Sequence, residues 1–172
     1  MARIGIAIEI PAPYAEQLRR WRAGFEEVGR HPVPPHVTLL APTDVAQDLL
    51  AEIDRHLERA AGKVGPFSMR LSGSGTFRPV SPVVFVNVSE GAEQCARLES
   101  LVRSGPLDGP RPFPYHPHVT VAHDVAEDRL DAAASRLAGF EAEFAVDSFS
   151  VFDGVGDGWR LRRRLRLRGD SM

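Results

Sequence analysis

Cysteine, lysine and long apolar runs are scarce in this 172-residue chain, and each scarcity closes off a class of function. The single cysteine, Cys95, excludes an intrachain disulfide and a multi-cysteine zinc site, and its helical surroundings suit a small buried apolar residue. Lys63 is the only lysine, and the formal net charge is -2. The chain therefore has no overall field that gathers nucleic acid, and any RNA contact must be local. The apolar stretch from Ile4 to Ile10 is interrupted by Glu9, is too short to span a bilayer and is followed by no small-residue cleavage site. That predicts a soluble, cytoplasmic protein with no membrane contact. No linker is long enough to divide the chain, and 43% hydrophobic with 26% charged residues suits one domain over residues 1–172.

What the chain does have is a repeat. Pro35-His36-Val37-Thr38-Leu39 and Pro117-His118-Val119-Thr120-Val121 are two copies of a His-apolar-Thr-apolar pattern in β-branched runs. Side chains alternate along a strand, so histidine and threonine share one face in each copy. There an imidazole can move a proton while a hydroxyl donates a hydrogen bond to the group under attack. Two copies facing each other supply a general acid, a general base and two neutral donors around one anionic centre, which is what phosphodiester cleavage needs.

The motifs also anchor the rest of the chain. A strand over Ile4 to Ile10 and a helix from about Tyr14 to Val28 precede the first; a strand over Val83 to Val88 and a helix over Ala92 to Val102 precede the second. After the first comes a helix with Leu49, Leu50, Ile53 and Leu57, N-capped by Thr43 or Asp44, then a strand from Phe67. After the second comes a helix with Leu130, Ala134 and Leu137, then a strand from Phe140 to Val151. Strand, helix, motif strand, helix, strand thus occurs twice, over about residues 1–77 and 82–153, followed by a C-terminal strand over 159–168. The expected fold is α+β and duplicated: two lobes, two antiparallel sheets related by a pseudo-twofold axis, helices outside and a central cleft. The glycines of Ser72-Gly73-Ser74-Gly75-Thr76 predict a bulge or a close backbone approach, and the prolines between Gly105 and Pro117 an extended approach that sets Tyr115 at the cleft rim.

The paired His-x-Thr motifs, together with Gly73-Ser74-Gly75-Thr76-Phe77 and the following run Val83-Val84-Phe85-Val86-Asn87-Val88, resemble the 2H phosphoesterases, in particular the bacterial 2'-5' RNA ligase and RNA 2',3'-cyclic phosphodiesterase group. The resemblance covers Ile4 to about Val151. It implies a metal-independent phosphodiesterase, without cofactor or obligate protein partner, that acts on the 2',3'-cyclic phosphates of RNA ends or nucleotides and reverses as a 2'-5' RNA ligase. By the same resemblance His36 is the general acid and His118 the general base, with Thr38 and Thr120 holding the phosphate oxygens. The chain departs from its relatives at His123, where many carry an arginine three residues after the second threonine.

Other residues carry weaker signals. Tyr115 and Phe77 are candidate stacking platforms for a base, and His123 a candidate substrate contact. Between Trp159 and Arg168 the odd positions are apolar except Arg163, which predicts an edge strand whose Arg163 looks into the cleft and replaces the missing arginine, while Arg164 faces away. His31 and His56 are expected in solvent, and His116 in a loop before Pro117. Two other functions fit the sequence: a zinc-dependent hydrolase built on His116, His118 and His123, and a non-catalytic RNA or nucleotide binder on the same fold.

Overall fold

The computed structural model describes residues 1–25, 34–156 and 158–170. Its elements follow in the expected order: β1 (Ala2–Glu9), α1 (Tyr14–Phe25), β2 (His36–Val45), α2 (Leu50–Gly62), β3 (Phe67–Thr76), β4 (Val83–Glu90), α3 (Ala92–Val102), β5 (His118–His123), α4 (Glu127–Leu137), β6 (Glu141–Val146), β7 (Ser148–Val155) and β8 (Gly158–Arg166). The expected end of the first helix at Val28 lies outside the described residues, as does His31.

Three- and four-residue apolar spacing explains the helices: Ile53 and Leu57 on α2, Cys95, Leu98 and Val102 on α3, and Leu130, Ala133 and Leu137 on α4 are all buried. These stripes cover one face of the sheet, with α3 on β2 and β4, α4 on β3, β4 and β5, and α2 against β8 and α3. Thr43 and Asp44 cap nothing. They belong to β2, which pairs with β1 as far as Val45, and α2 instead starts after a 3-10 turn over Gln47–Leu49. No membrane-length apolar helix occurs among the described residues.

All strands pair antiparallel in one eight-stranded sheet of order β6-β3-β4-β5-β2-β1-β7-β8, where two sheets were expected. The two halves are joined at the motif strands by a single pairing, Val37 with Val119. The expected strand from Phe140 to Val151 is two strands separated by Asp147 alone, β6 against β3 and β7 against β1. In a flat sheet those two positions would stand about 29 Å apart at ~4.8 Å per strand, whereas two Cα steps reach about 7–8 Å. The sheet is therefore curled, and its uncovered face is concave around the β2–β5 junction.

Candidate active site

Val37 and Val119 are partners across the junction and both are wholly buried on the helix-covered face. Their sequence neighbours must therefore point to the opposite face, which brings His36, Thr38, His118 and Thr120 out together, all half-buried. Because the strands are antiparallel, His36 is set towards Thr120 and His118 towards Thr38. The two histidines become diagonal neighbours, a relation that separates Cα atoms by about 7–8 Å.

The two imidazoles are tethered alike. His36 Nδ1 donates to the Pro34 carbonyl at 2.7 Å, and His118 Nδ1 donates to the His116 carbonyl at 2.6 Å. A carbonyl oxygen can only accept, so Nδ1 keeps its proton in each ring and Nε2 is left to exchange one. Burial pushes both histidines below the ordinary imidazole value. At His36 the Pro34 hydrogen bond opposes that push, Arg22 adds to it and Glu9 opposes it. At His118 the His116 carbonyl opposes it, while the rings of His116 and His36 add to it. Each histidine therefore feels a different set of charges although the motif around it is the same.

Cross-strand register shows where the difference arises. Glu9 and Ala7 on β1 pair with His36 and Thr38; Asn87 and Phe85 on β4 pair with His118 and Thr120. The Phe85 ring lies over Gly75, where a Cβ would come within 2.6 Å of it, so glycine is required there. Phe77 packs on Phe85 with ring centroids 4.5 Å apart, and both rings contact His118, at 4.9 Å and 5.0 Å. Asn87 Nδ2 donates to the Ser74 carbonyl. On the other side, Glu9 Oε1 accepts from Ser150 Oγ at 2.6 Å and from Arg164 Nη2 at 2.9 Å. Burial raises the Glu9 carboxyl, but those two hydrogen bonds together with the charges of Arg164 and His36 outweigh it and hold the group below the usual carboxylate range. Beside His36 and Thr38 a cavity of about 130 Å³ opens, lined by Gly5, Ala7, Leu40, Pro42, Phe152 and Trp159 among others.

Other expected site residues fall elsewhere. Tyr115 is packed against the core and donates to the Thr38 carbonyl at 2.7 Å; it braces the motif strand, and burial drives its phenol far above the ordinary value. Phe77 is engaged by Phe85 and His118. His123 stands opposite Val83 and contacts Asp124 at 3.1 Å, and a register shift at Val84 leaves it on the same face as Thr120. His116 lies in the loop before β5, and its ring meets Phe77, Phe85 and His118. His56 is buried, with Nε2 3.0 Å from the Val102 carbonyl, because its helix packs on α3 instead of facing water.

Arg163 does not enter the cleft. A register shift between Val151 and Phe152 inserts one extra residue into β8, so Arg163 stands opposite buried Val151 and turns to α2, where Glu58 and Asp54 bind it. Its neighbour Arg164 stands opposite Ser150 on the cleft face and reaches Glu9. The apolar odd positions Leu165 and Leu167 do face inward, but inward is the helix-covered core. Nor do His116, His118 and His123 make a zinc site: among the described residues no three His, Cys, Asp or Glu side chains converge to hold a metal ion. The structure adds Glu9 and Trp159 to the residues around His36. The signal for Glu9 was an acid in an otherwise apolar strand; Trp159 had none beyond its hydrophobicity.

A profile described as the 2'-5' RNA ligase superfamily matches residues 10–158. A protein of Oceanobacillus iheyensis whose name assigns it provisionally to the phosphoesterases is 30% identical over 141 residues, 80% of this chain and 82% of that one. Crystal structures of LigT of E. coli superpose closely. The complex with 3'-AMP gives a TM-score of 0.70 at 26% identity over 96% of this chain and 98% of that one. The complex with NADP+ gives 0.68 at 26% identity over 97% and 98%.

Proposed function

The chain belongs to the 2'-5' RNA ligase superfamily, and from that membership we propose that it is a phosphodiesterase that needs no metal and hydrolyses 2',3'-cyclic phosphates at RNA ends or on nucleotides. The supporting observation is the pair of histidines with Nδ1 tied to backbone carbonyls and Nε2 free, facing one another across the junction strands. His118 takes a proton from water as its oxygen bonds to phosphorus. The bond from phosphorus to one ribose oxygen breaks, and His36 gives that oxygen its Nε2 proton, leaving a ribose monophosphate. Thr38 and Thr120 donate to the non-bridging oxygens, where charge builds in the transition state. Glu9 beside His36 favours the imidazolium there, against the opposing charge of Arg22, whereas the neutral Asn87 beside His118 offers no such anion, and this difference at the paired positions supports His36 as acid and His118 as base. With a 5'-hydroxyl in place of water and the steps run in the same sense, the 5'-oxygen bonds to phosphorus, the ribose 3'-oxygen leaves with the His36 proton, and RNA ends are joined through a 2'-5' bond. The reverse of that step cleaves the bond to a cyclic phosphate. The strained cyclic phosphate supplies the driving force, so ATP is not required.

The test is incubation with nucleoside 2',3'-cyclic phosphates and with 2'-5'- and 3'-5'-linked dinucleotides, in excess EDTA. Opening of the cyclic phosphates to one monophosphate isomer is expected. Loss of turnover on chelation with recovery on adding zinc would replace this mechanism by a metal-assisted one. Binding without turnover would leave a nucleotide-binding protein.

A further inference from the structure

Resting on that reaction, we infer that the cavity walled by Trp159 and Phe152 is the subsite for the nucleobase of the cyclic-phosphate nucleotide, with the base lying against the Trp159 indole. The two halves of the cleft differ in free space. Around His118 the rings of Phe77, Phe85 and His116 already occupy the volume next to the imidazole. Around His36 the register position that holds Phe85 in the other half holds Ala7, and the space that a large ring would fill remains as the cavity.

The cavity suits a flat apolar ring. Gly5 and Ala7 keep its floor low, and the indole of Trp159 rides over Gly5, with Cζ3 3.7 Å from where a Cβ would stand. At about 130 Å³ it is of the order of the cavity, roughly 150 Å³, that accepts a benzene ring in an apolar protein interior. Trp159 is only partly covered, and Leu161, which pairs with Phe152, is 42% exposed, so this apolar wall is left without a partner from the described chain. Position supplies the identity of the occupant. His36 and Thr38 line the cavity, and in the proposed reaction His36 protonates the leaving ribose oxygen, so the ribose lies on this side and its base reaches one sugar ring further along the cavity. A base stacks on an aromatic face whatever its sequence identity.

Two measurements test this. Kinetics compare cytidine and adenosine 2',3'-cyclic phosphates with 1-O-methylribose 2',3'-cyclic phosphate, which lacks a base. Trp159→Ala should raise KM about tenfold or more for the two nucleotides, leave kcat nearly unchanged and leave the base-free compound unaffected; Trp159→Phe should retain most of the difference. Equal effects on all three compounds, or none, overturn the subsite and leave the two-histidine reaction standing. The second measurement needs no turnover. The chain has two tryptophans, so Trp21→Phe leaves Trp159 as the sole indole emitter, and titration with 3'-CMP and 3'-AMP should quench it. Absence of quenching while the same nucleotides inhibit turnover overturns the subsite. If the wild type opens no cyclic phosphate, the proposed reaction fails, and quenching or its absence then decides the subsite by itself.

Discussion

The half of the cleft around His118 and the half around His36 share a motif, a ring tether and a register, yet one is filled with aromatic rings and the other holds charge and space. The difference comes from two positions on the flanking strands, Phe85 and Asn87 against Ala7 and Glu9, which pair with the threonine and histidine of each motif. A repeated motif fixes which groups the two strands bring to one face. Its unrepeated neighbours give the site a direction: a carboxylate stands beside His36, the proposed acid, and the rings of Phe77, Phe85 and His116 stand beside His118, the proposed base.

The hardest test of this comparison removes each histidine. His36→Ala and His118→Ala should each lower kcat by about 10² to 10⁴ while thermal unfolding followed by circular dichroism stays cooperative, since proton transfer by a positioned group is typically worth that much. Near-wild-type turnover in either variant would sink the two-histidine mechanism. Thr38→Ala and Thr120→Ala each delete one neutral hydrogen bond and should cost up to about tenfold in kcat/KM.

The charge asymmetry is sharpened by pH. Burial lowers both histidines, so the bell-shaped profile of kcat/KM should sit on the acid side of the ordinary imidazole range, its limbs belonging to the pair. If His36 is the acid, it must be protonated to work, so its titration sets the alkaline limb. Glu9→Gln removes an anion that favours the imidazolium, and the alkaline limb should move to lower pH while the acid limb, set by His118, stays in place. Movement of the acid limb alone would exchange the two roles.

The smallest effects separate adjacent arginines. Arg164→Ala leaves the Glu9 carboxylate without its cation, so the imidazolium of His36 is favoured more and the pH profile should widen slightly on its alkaline side. Arg163→Ala should leave the profile unchanged and lower stability by at most about 1 kcal/mol, because the ion pairs with Asp54 and Glu58 are partly solvated. Denaturant titration beside kinetics distinguishes the two outcomes.

The helices and most strands were legible because their signals are local: three- and four-residue spacing on α2, α3 and α4, and alternation on β2 and β5. The glycine segment was also legible. Gly73 adopts a positive φ of 73° beside a register shift, and Gly75 is where the Phe85 ring comes close. Misplaced residues share a different cause. Counting alternation along β8 puts Arg163 in the cleft, and one inserted residue reverses such a count from that point on. The charged neighbours of His56 along the chain point to solvent, but its surroundings are set by α3 packing across it.

By itself the sequence determined that two His-x-Thr strands each present an imidazole and a hydroxyl on one face, because alternation of side chains is a property of the extended backbone. Only the tertiary structure decided that the strands meet at Val37 and Val119, that Glu9 stands beside His36 and Asn87 beside His118, and that Ala7 leaves a cavity under Trp159. Those relations depend on register between strands distant in sequence, and register is set by the packing of the whole sheet.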